Sequence, residues 1–413
     1  MHNNVKKDYF WNTVGVFAQN ALSPLMLVVI TRINGIDASG LFSFAFSLSI
    51  VFFVIGLWGG RIYQVSDNKS EYKQQNYVEL RLFLSFIAVV GSLIFCLING
   101  YSGSKTLLIL MLVLFKVVES VADALYGVMQ VNHKLHISGI SLLAKATVGI
   151  VTFTIVDLLT KNVTISILGV ILINMFLLIA FDLRMVNRHE RISINPVRAL
   201  FNMPITFAIL KKTSGVFIVS FLALFSINIP RYFIDMNSPT ELGYFGILVM
   251  PITLLALFIS FIIQPNIVSL SSLYKQRSTT KFKRLINRMI LFTIAIGLVI
   301  TIFTAIIGVD ALRIVFGVDF DQYKIPLLIV IVGGIANSML AIMSGTLTIM
   351  RNIKVQAYTL SSTIIILLVA SFLLRHQYSL EIGVILFTLT NLVQFTILFS
   401  WYFYKINLVQ ATK

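Results

Sequence analysis

The sequence predicts an all-α polytopic membrane protein, and two observations support this. Of the 413 residues, 58% are hydrophobic and only 12% are charged, whereas a soluble domain carries about 25% charged residues. The apolar residues also come in long blocks, and a membrane-spanning helix needs roughly 20 of them. This pattern excludes a soluble enzyme. It also excludes a transmembrane β-barrel, whose strands give only alternating segments of about 10 residues.

Apolar runs bounded by turn and charge signals predict twelve transmembrane helices along the chain. In order, they cover about 10–31, 40–60, 82–100, 106–130, 138–158, 163–182, 210–230, 242–270, 287–308, 325–350, 355–374 and 381–404. Because the number is even, both termini lie on the same side of the membrane.

The loops on the side of the termini carry about three times as many Lys and Arg residues as the opposite loops. The positive-inside rule therefore places both termini of this multi-pass protein in the cytoplasm. The same bias accounts for most of the net charge of +16. A nucleic-acid partner is therefore not needed to explain the basic residues, whereas anionic membrane lipids are natural partners for them.

A basic stretch near the middle of the chain, DLRMVNRHERISINPVRALFN, separates two halves of six predicted helices. The segments ITRINGIDASGLFSFAF and IPRYFIDMNSPTELGYFGIL each place an Arg before a polar turn and then Gly-x-Phe. Chance similarity between apolar segments is the alternative to a true repeat. Parallel repeats of this kind are a transporter architecture, with the substrate site between the halves. We predict an N-terminal lobe at 1–183, a cytoplasmic linker at 184–206 and a C-terminal lobe at 207–413 around a central cavity.

Charged residues inside the fourth predicted helix form the main candidate site. They belong to a set that occupies positions i, i+3, i+4, i+7 and i+11: Lys116, Glu119, Ser120, Asp123 and Gly127. These positions fall on one helical stripe roughly 100° wide. Charges in a transmembrane segment almost always face a bundle interior or a water-filled cavity. The stripe therefore marks the inward face of this helix.

Depth in the membrane predicts the partners of these charges. Lys145 on the fifth helix lies at a depth similar to that of Asp123, so we expect these two to pair, while Lys116 and Glu119 neutralise each other at i, i+3. Two interpretations stay open. The charges form salt bridges that only fix the packing, or they line a hydrated cavity that holds an ionised or proton-exchanging group.

Prolines interrupt two of the predicted transmembrane helices. Pro24 in the first helix, and Pro251 and Pro265 in the eighth, free backbone carbonyls that a neighbour or water must satisfy. They are candidate gating elements, and simple bends in a packed bundle are the alternative.

The sequence predicts no metal site and no cofactor. The single cysteine, Cys96, lies in an apolar run, and the five His residues are sparse. An integral-membrane enzyme would need a cluster of acids or His in a loop at the membrane surface, and the longest loops here are basic instead. We therefore do not expect an enzyme.

Three stretches resemble the Wzx-type polysaccharide repeat-unit flippases, in the polysaccharide-transport branch of the MOP exporter superfamily. The first is FWNTVGVFAQNALSPLMLVVITRINGIDASGLFSFAFSLS, which is similar to the two opening helices of that family. The second is GGRIYQVSDNKSEYKQQNYVELR, with Arg61, Gln64, Asp67, Tyr77 and Arg81. The third is INIPRYFID…ELGYFGIL, which is similar to the seventh and eighth helices of the family.

The resemblance implies two six-helix lobes around a cationic central cavity, working by alternating access in the cytoplasmic (inner) membrane of a bacterium. The cargo it implies is an oligosaccharide repeat unit of O-antigen, lipopolysaccharide or capsule on undecaprenyl diphosphate, with the polysaccharide polymerase and chain-length machinery as partners. A diphosphate must be neutralised to cross a medium of low dielectric constant. The candidate substrate-binding cations are Lys116, Lys145, Arg32, Arg61 and Arg231. The candidate coupling or charge-balancing acids are Glu119 and Asp123. The alternative within transport is a cation-coupled multidrug or metabolite antiporter of the related multidrug-extrusion type.

Overall fold

The computed structural model describes residues 2–66, 71–194 and 203–411, and within these ranges the chain is helical and contains no strand. It divides into two compact units, Met1–Phe221 and Leu222–Lys413. The division falls inside one long helix. Residues 195–202 of the predicted linker lie outside the described residues, so the predicted lobe boundaries stay a prediction.

The first unit holds the first six predicted transmembrane helices and two short helices that the sequence did not predict. Its helices are α1 (His2–Asn34), α2 (Ile36–Leu57), α3 (Gly60–Ser66), α4 (Gln74–Ile98), α5 (Gly103–Val131), α6 (Leu135–Thr160) and α7 (Val163–Leu177). A π-helical turn, Leu178–Leu183, continues α7 into the short helix α8 (Arg184–Asn187).

Local chemistry explains several helix ends in the first unit. The Ser102 hydroxyl accepts the Lys105 N–H at the start of α5, and the Asn162 side chain accepts two N–H groups at the start of α7. Such side chains satisfy backbone donors that have no partner within the helix. Trp58 ends α2 in the left-handed conformation, and its ring stacks on Phe217 with centroids 3.6 Å apart.

The second unit begins within α9 (Met203–Asn237) and holds the remaining helices. They are α10 (Pro239–Leu248), α11 (Met250–Lys275), α12 (Thr279–Phe303), α13 (Val309–Phe316), α14 (Lys324–Ile349), α15 (Ile353–Leu373) and α16 (Leu380–Ala411). A π-helical turn, Thr304–Gly308, joins α12 to α13, and a 3₁₀ turn, Asp321–Tyr323, precedes α14. The eighth predicted helix is divided at Val249, directly before Met250 and Pro251. Proline has no backbone N–H to continue the hydrogen bonds of α10, but it is tolerated in the first turn of a helix, which explains why α11 begins here.

In the described residues, ten helical segments are long and apolar enough to cross a membrane. The chain is therefore a multi-pass membrane protein, as predicted. Helix α5 is not among the ten because its charged residues lower its apolar character. It is nevertheless 29 residues long, or about 43 Å at the α-helical rise, which is enough to span the hydrocarbon core.

Each unit has its own packed interior. In the first unit, α1 and α6 approach so closely that a Cβ atom on Gly139 would overlap the backbone of Trp11. In the second unit, Phe282 of α12, Met343 of α14 and Tyr402 of α16 are fully buried in one apolar cluster. The α1–α6 contact holds two helices whose polar side chains are described next.

Candidate functional site

Lys116 and Glu119 form an ion pair on the stripe of α5. The Lys116 Nζ lies 2.6 Å from the Glu119 Oε2, and Gln19 of α1 donates a hydrogen bond to the same carboxylate. The Lys116 ammonium also faces the rings of Phe46, Phe53 and Phe115, at 4.7, 5.5 and 5.2 Å from their centroids. The predicted local neutralisation of Lys116 by Glu119 is confirmed.

Asp123 lies between two arginines. Its Oδ1 is 3.3 Å from Arg61 of α3, and its Oδ2 is 3.1 Å from Arg81 of α4. Arg61 also donates to the Gln130 side chain at 3.1 Å. Two guanidinium groups thus share one carboxylate, so this cluster carries a net positive charge.

Arg81 holds the carboxyl end of α2 as well. It donates to the Gly56 carbonyl at 3.0 Å and to the Leu57 carbonyl, and these are carbonyls that the end of a helix leaves without partners. Its side chain is only 3% exposed. Gly60 lies directly beneath the guanidinium, so a larger residue at that position would displace it. The contact between Arg81 and Gly60 positions the short helix α3 and therefore its own arginine, Arg61.

The predicted pair between Asp123 and Lys145 is wrong. Lys145 of α6 pairs instead with Asp182 in the π-helical turn after α7. The prediction rested on depth in the membrane, and depth says nothing about direction around the helix axis. Asp123 points toward α3 and α4, whereas Lys145 points toward the end of α7.

The Lys145–Asp182 pair is part of a buried polar cluster. Lys145 donates to the Tyr126 hydroxyl at 3.2 Å. The Ser141 hydroxyl donates to the Asp182 Oδ1 at 2.5 Å and lies 2.9 Å from the Tyr126 hydroxyl. The side chains of Lys145 and Asp182 are 6% and 3% exposed, so the charges are compensated by each other and by two hydroxyls.

Arg231 is the candidate cation of the second unit, and it lies inside α9 rather than at its end. Its Nη1 donates to the Asn228 side chain at 2.8 Å, and its guanidinium lies 5.5 Å from the centroid of the Phe245 ring. The Nε atom is buried without a hydrogen-bond partner. Among the residues that the structure describes, no carboxylate lies within 4.0 Å of this cation.

The other predicted site residues are dispersed. Arg32 is exposed in the last turn of α1, and Pro24 lies within the same continuous helix. Pro251 opens α11. Helix α11 continues through Pro265, whose side chain lies outside the described residues, as does Asp67. Within the described ranges, no group of three His, Cys, Asp or Glu residues could hold a metal ion.

Sequence reasoning missed the ion-pair partners Arg81 and Asp182. Both stood at the predicted boundaries of transmembrane helices, where a pattern of apolar residues gives the least information. A third buried group was missed too: the Asp157 carboxylate accepts hydrogen bonds from Asn34 at 2.6 Å and from Ser166 at 3.1 Å. The sequence indicated it only by one acidic residue, Asp157, within an apolar run, which is typical of a buried functional or structural group.

Comparison with known proteins gives a relative of nearly the same length. No family model matches the sequence. The chain is 25% identical over 398 residues to the capsular polysaccharide biosynthesis protein CapF of Staphylococcus aureus. The alignment covers 94% of this chain and 98% of CapF.

Solved transporter structures show the fold. An inward-facing multidrug resistance MATE family transporter of the MOP superfamily matches with a TM-score of 0.68 at 15% identity, over 95% of this chain and 96% of that one. A MOP superfamily transporter from Pyrococcus furiosus, described by the reverse polarity of its binding pocket, matches with a TM-score of 0.62 at 15% identity, over 98% and 96%. The chain therefore has the fold of MOP superfamily transporters. The fold match confirms the predicted fold class, and the similarity to CapF, a protein of capsular polysaccharide biosynthesis, bears out the predicted family resemblance.

Proposed function

We propose that this chain is a flippase that moves undecaprenyl-diphosphate-linked oligosaccharide repeat units from the cytoplasmic to the outer leaflet by alternating access. The observation that carries the proposal is the similarity to a capsular polysaccharide biosynthesis protein along nearly the whole of both chains. A match of this extent runs through both units of the fold rather than one shared domain. Transporters of the same fold are known in inward-facing and outward-facing conformations.

Arginine chemistry supports a diphosphate cargo. A guanidinium group is planar, always charged and suited to bidentate contacts with phosphate oxygens. Arg231 is partly buried, and its Nε atom is buried without a hydrogen-bond partner. Among the described residues, no carboxylate lies within 4.0 Å of it. Arg61 shares Asp123 with Arg81 and is 22% exposed. We propose Arg231 and Arg61 as the first phosphate-binding residues, with Lys116 and Arg32 as further cations on the path.

The prolines and the acids have auxiliary roles in this proposal. The break before Pro251 supports a gating role for the start of α11, and Pro24 and Pro265 are further candidate gating positions. Glu119 and Asp123 balance the charge of Lys116 and the two arginines, and they would keep the path from binding the diphosphate too tightly for release.

The proposal also sets orientation and partners. Both termini lie in the cytoplasm, where the loops rich in Lys and Arg meet anionic lipid. The chain acts as a transporter rather than an enzyme, and it hands its cargo to the polymerase and chain-length machinery.

A multidrug or metabolite antiporter is the second candidate, and the fold match to a multidrug resistance transporter favours it. That function would use Glu119 and Asp123 to bind a cation. In the structure both carboxylates already contact the cationic groups of Lys116, Arg61 and Arg81. A cationic drug would have to displace these, so the structure supports an anionic cargo better.

The test uses a strain that lacks the gene and is complemented from a plasmid. Arg231→Gln is expected to abolish surface polysaccharide at an unchanged level of membrane-inserted protein, because no carboxylate among the described residues pairs with this cation and the fold therefore does not depend on its charge. Arg375→Gln is the matched control, since Arg375 is exposed in a loop of the same unit. Arg231→Lys should keep part of the activity, because it retains the positive charge but lacks the planar guanidinium group.

Reconstituted vesicles separate the two candidates. A fluorescent oligosaccharide on a polyprenyl diphosphate should cross the bilayer, and the same oligosaccharide on a neutral lipid should not. Equal movement of both lipids, or extrusion of a cationic dye without movement of the diphosphate lipid, would refute the flippase.

A further inference from the structure

An open groove runs along the first turns of α12 in the second unit. Its lining residues recur at i, i+3, i+4, i+7 and i+8, and therefore lie on one face of the helix. The polar ones are Thr280, Lys283, Arg284, Asn287 and Arg288, and the apolar ones follow one turn later.

The groove is positively charged along its length. Three of its side chains are cations and none is a carboxylate. Arg284 and Arg288 are exposed. Lys283 donates to the Asn407 side chain at 2.8 Å, which ties the groove to α16. The two arginines lie four residues apart, so both guanidinium groups can reach one ligand.

The groove opens onto an apolar face. Leu291 and Phe292 line its far end and are 65% and 51% exposed. Val299 and Ile302, two turns further on, are 67% and 60% exposed. Exposed apolar side chains of this size, in a helix that crosses a membrane, face the acyl chains.

The length of the helix places the cations at the membrane surface. The segment Thr279–Phe316 has 38 residues, or about 57 Å at the α-helical rise. The hydrocarbon core is only about 30 Å thick. The basic first turns therefore extend into the headgroup layer, on the side that the positive-inside rule assigns to the cytoplasm.

We propose that the α12 groove binds an anionic phospholipid of the surrounding membrane. Arg284 and Arg288 hold the phosphate, Asn287 donates to it from the same face, and one acyl chain lies against Leu291 and Phe292. Charge complementarity favours this occupant because phosphate is the group that closely spaced guanidinium groups recognise best. This site is separate from the transport of the cargo.

Native mass spectrometry of the intact protein tests the proposal. The protein is extracted from vesicles of phosphatidylcholine containing 20% phosphatidylglycerol or cardiolipin, and the retained lipid is identified. We expect one anionic phospholipid to remain bound to the unaltered chain. Arg284→Gln/Arg288→Gln should weaken its binding about 30-fold, because each cation near the surface contributes about a fivefold gain.

A second pair of substitutions is the matched control. Lys275→Gln/Lys281→Gln removes the same charge from exposed residues that do not line the groove, and it should leave retention within about threefold. Arg284→Lys/Arg288→Lys keeps the charge and should retain an intermediate amount of lipid. Size-exclusion chromatography checks that each variant is folded.

Three outcomes overturn the proposal. If Arg284→Gln/Arg288→Gln and Lys275→Gln/Lys281→Gln lose equal amounts of bound lipid, the basic surface attracts anionic lipid without a specific site. Retention of phosphatidylcholine instead of the anionic lipids would mean that the groove does not select lipids by their charge. Retention of a prenyl diphosphate lipid from cell membranes, in preference to phospholipid, would assign the groove to the cargo.

Discussion

Replacing the buried Lys145–Asp182 pair tests whether it serves only the fold. Both side chains are nearly inaccessible, so removing one partner leaves a buried charge without compensation. Lys145→Met or Asp182→Leu alone should therefore lower the free energy of unfolding by about 3–5 kcal/mol. For a unit of this size, that is a fall of roughly 10 °C in the unfolding temperature.

The double variant Lys145→Met/Asp182→Leu is expected to behave differently. It removes both charges and returns apolar side chains of similar volume, which in other buried pairs is neutral or stabilising. The hydroxyls of Tyr126 and Ser141 still bond to each other, at 2.9 Å in the structure. The unfolding temperature of the double variant should therefore be within a few degrees of the original.

The assay is thermal unfolding of the purified protein in detergent, combined with surface polysaccharide in the complemented strain. A double variant that is as unstable as the sum of the two single variants would show that the charges do not act on each other. If the double variant is stable and still exports polysaccharide, the pair is structural and Lys145 is not a substrate-binding residue. If it is stable and exports nothing, Lys145 stays among the candidate substrate-binding cations.

Three further predictions concern packing, charge and orientation. Gly139→Ala should lower the unfolding temperature, since its Cβ would overlap the backbone of Trp11 and overpacking costs about 1–3 kcal/mol. Gly345→Ala, which meets nothing within 4 Å, is its control and should be neutral or slightly stabilising. Asp123→Asn should reduce surface polysaccharide with the protein still inserted, because Arg61 and Arg81 lose their shared counter-charge; normal polysaccharide would remove the case for this cluster. Alkaline phosphatase fused at the C-terminus should be inactive and fused after Lys161 active, and the reverse pattern would contradict the proposed orientation.

Hydrophobic patterning predicted the fold well because the bilayer leaves few choices. Backbone groups in hydrocarbon must be satisfied within the segment, so each long apolar run becomes a helix. All twelve predicted runs correspond to helical segments. The predicted 242–270 segment is divided before Pro251, where the proline in the run had already indicated a break.

The charged contacts were predictable only where they are local. Lys116 and Glu119 are three residues apart on one helix, so helical geometry alone brings them together. Asp123 and Lys145 find their partners on other helices, and the choice depends on how each helix is rotated about its axis. A single sequence does not determine that rotation. The partners Arg81 and Asp182 also lay at the predicted ends of helices, where the apolar pattern gives little information.

The way the buried cations are balanced argues for an anionic cargo. A membrane protein that needs charges only for packing can neutralise each cation with an acid, and Lys145 with Asp182 shows that this chain does so. Arg61 and Arg81 depart from that rule because they share the single carboxylate of Asp123. Arg231 departs further: it is partly buried, and among the described residues its side chain donates to the Asn228 amide and to no carboxylate. Keeping such a cation costs stability unless a ligand compensates it. A group that arrives with negative charge, such as the diphosphate of a lipid-linked sugar, would provide that compensation during transport.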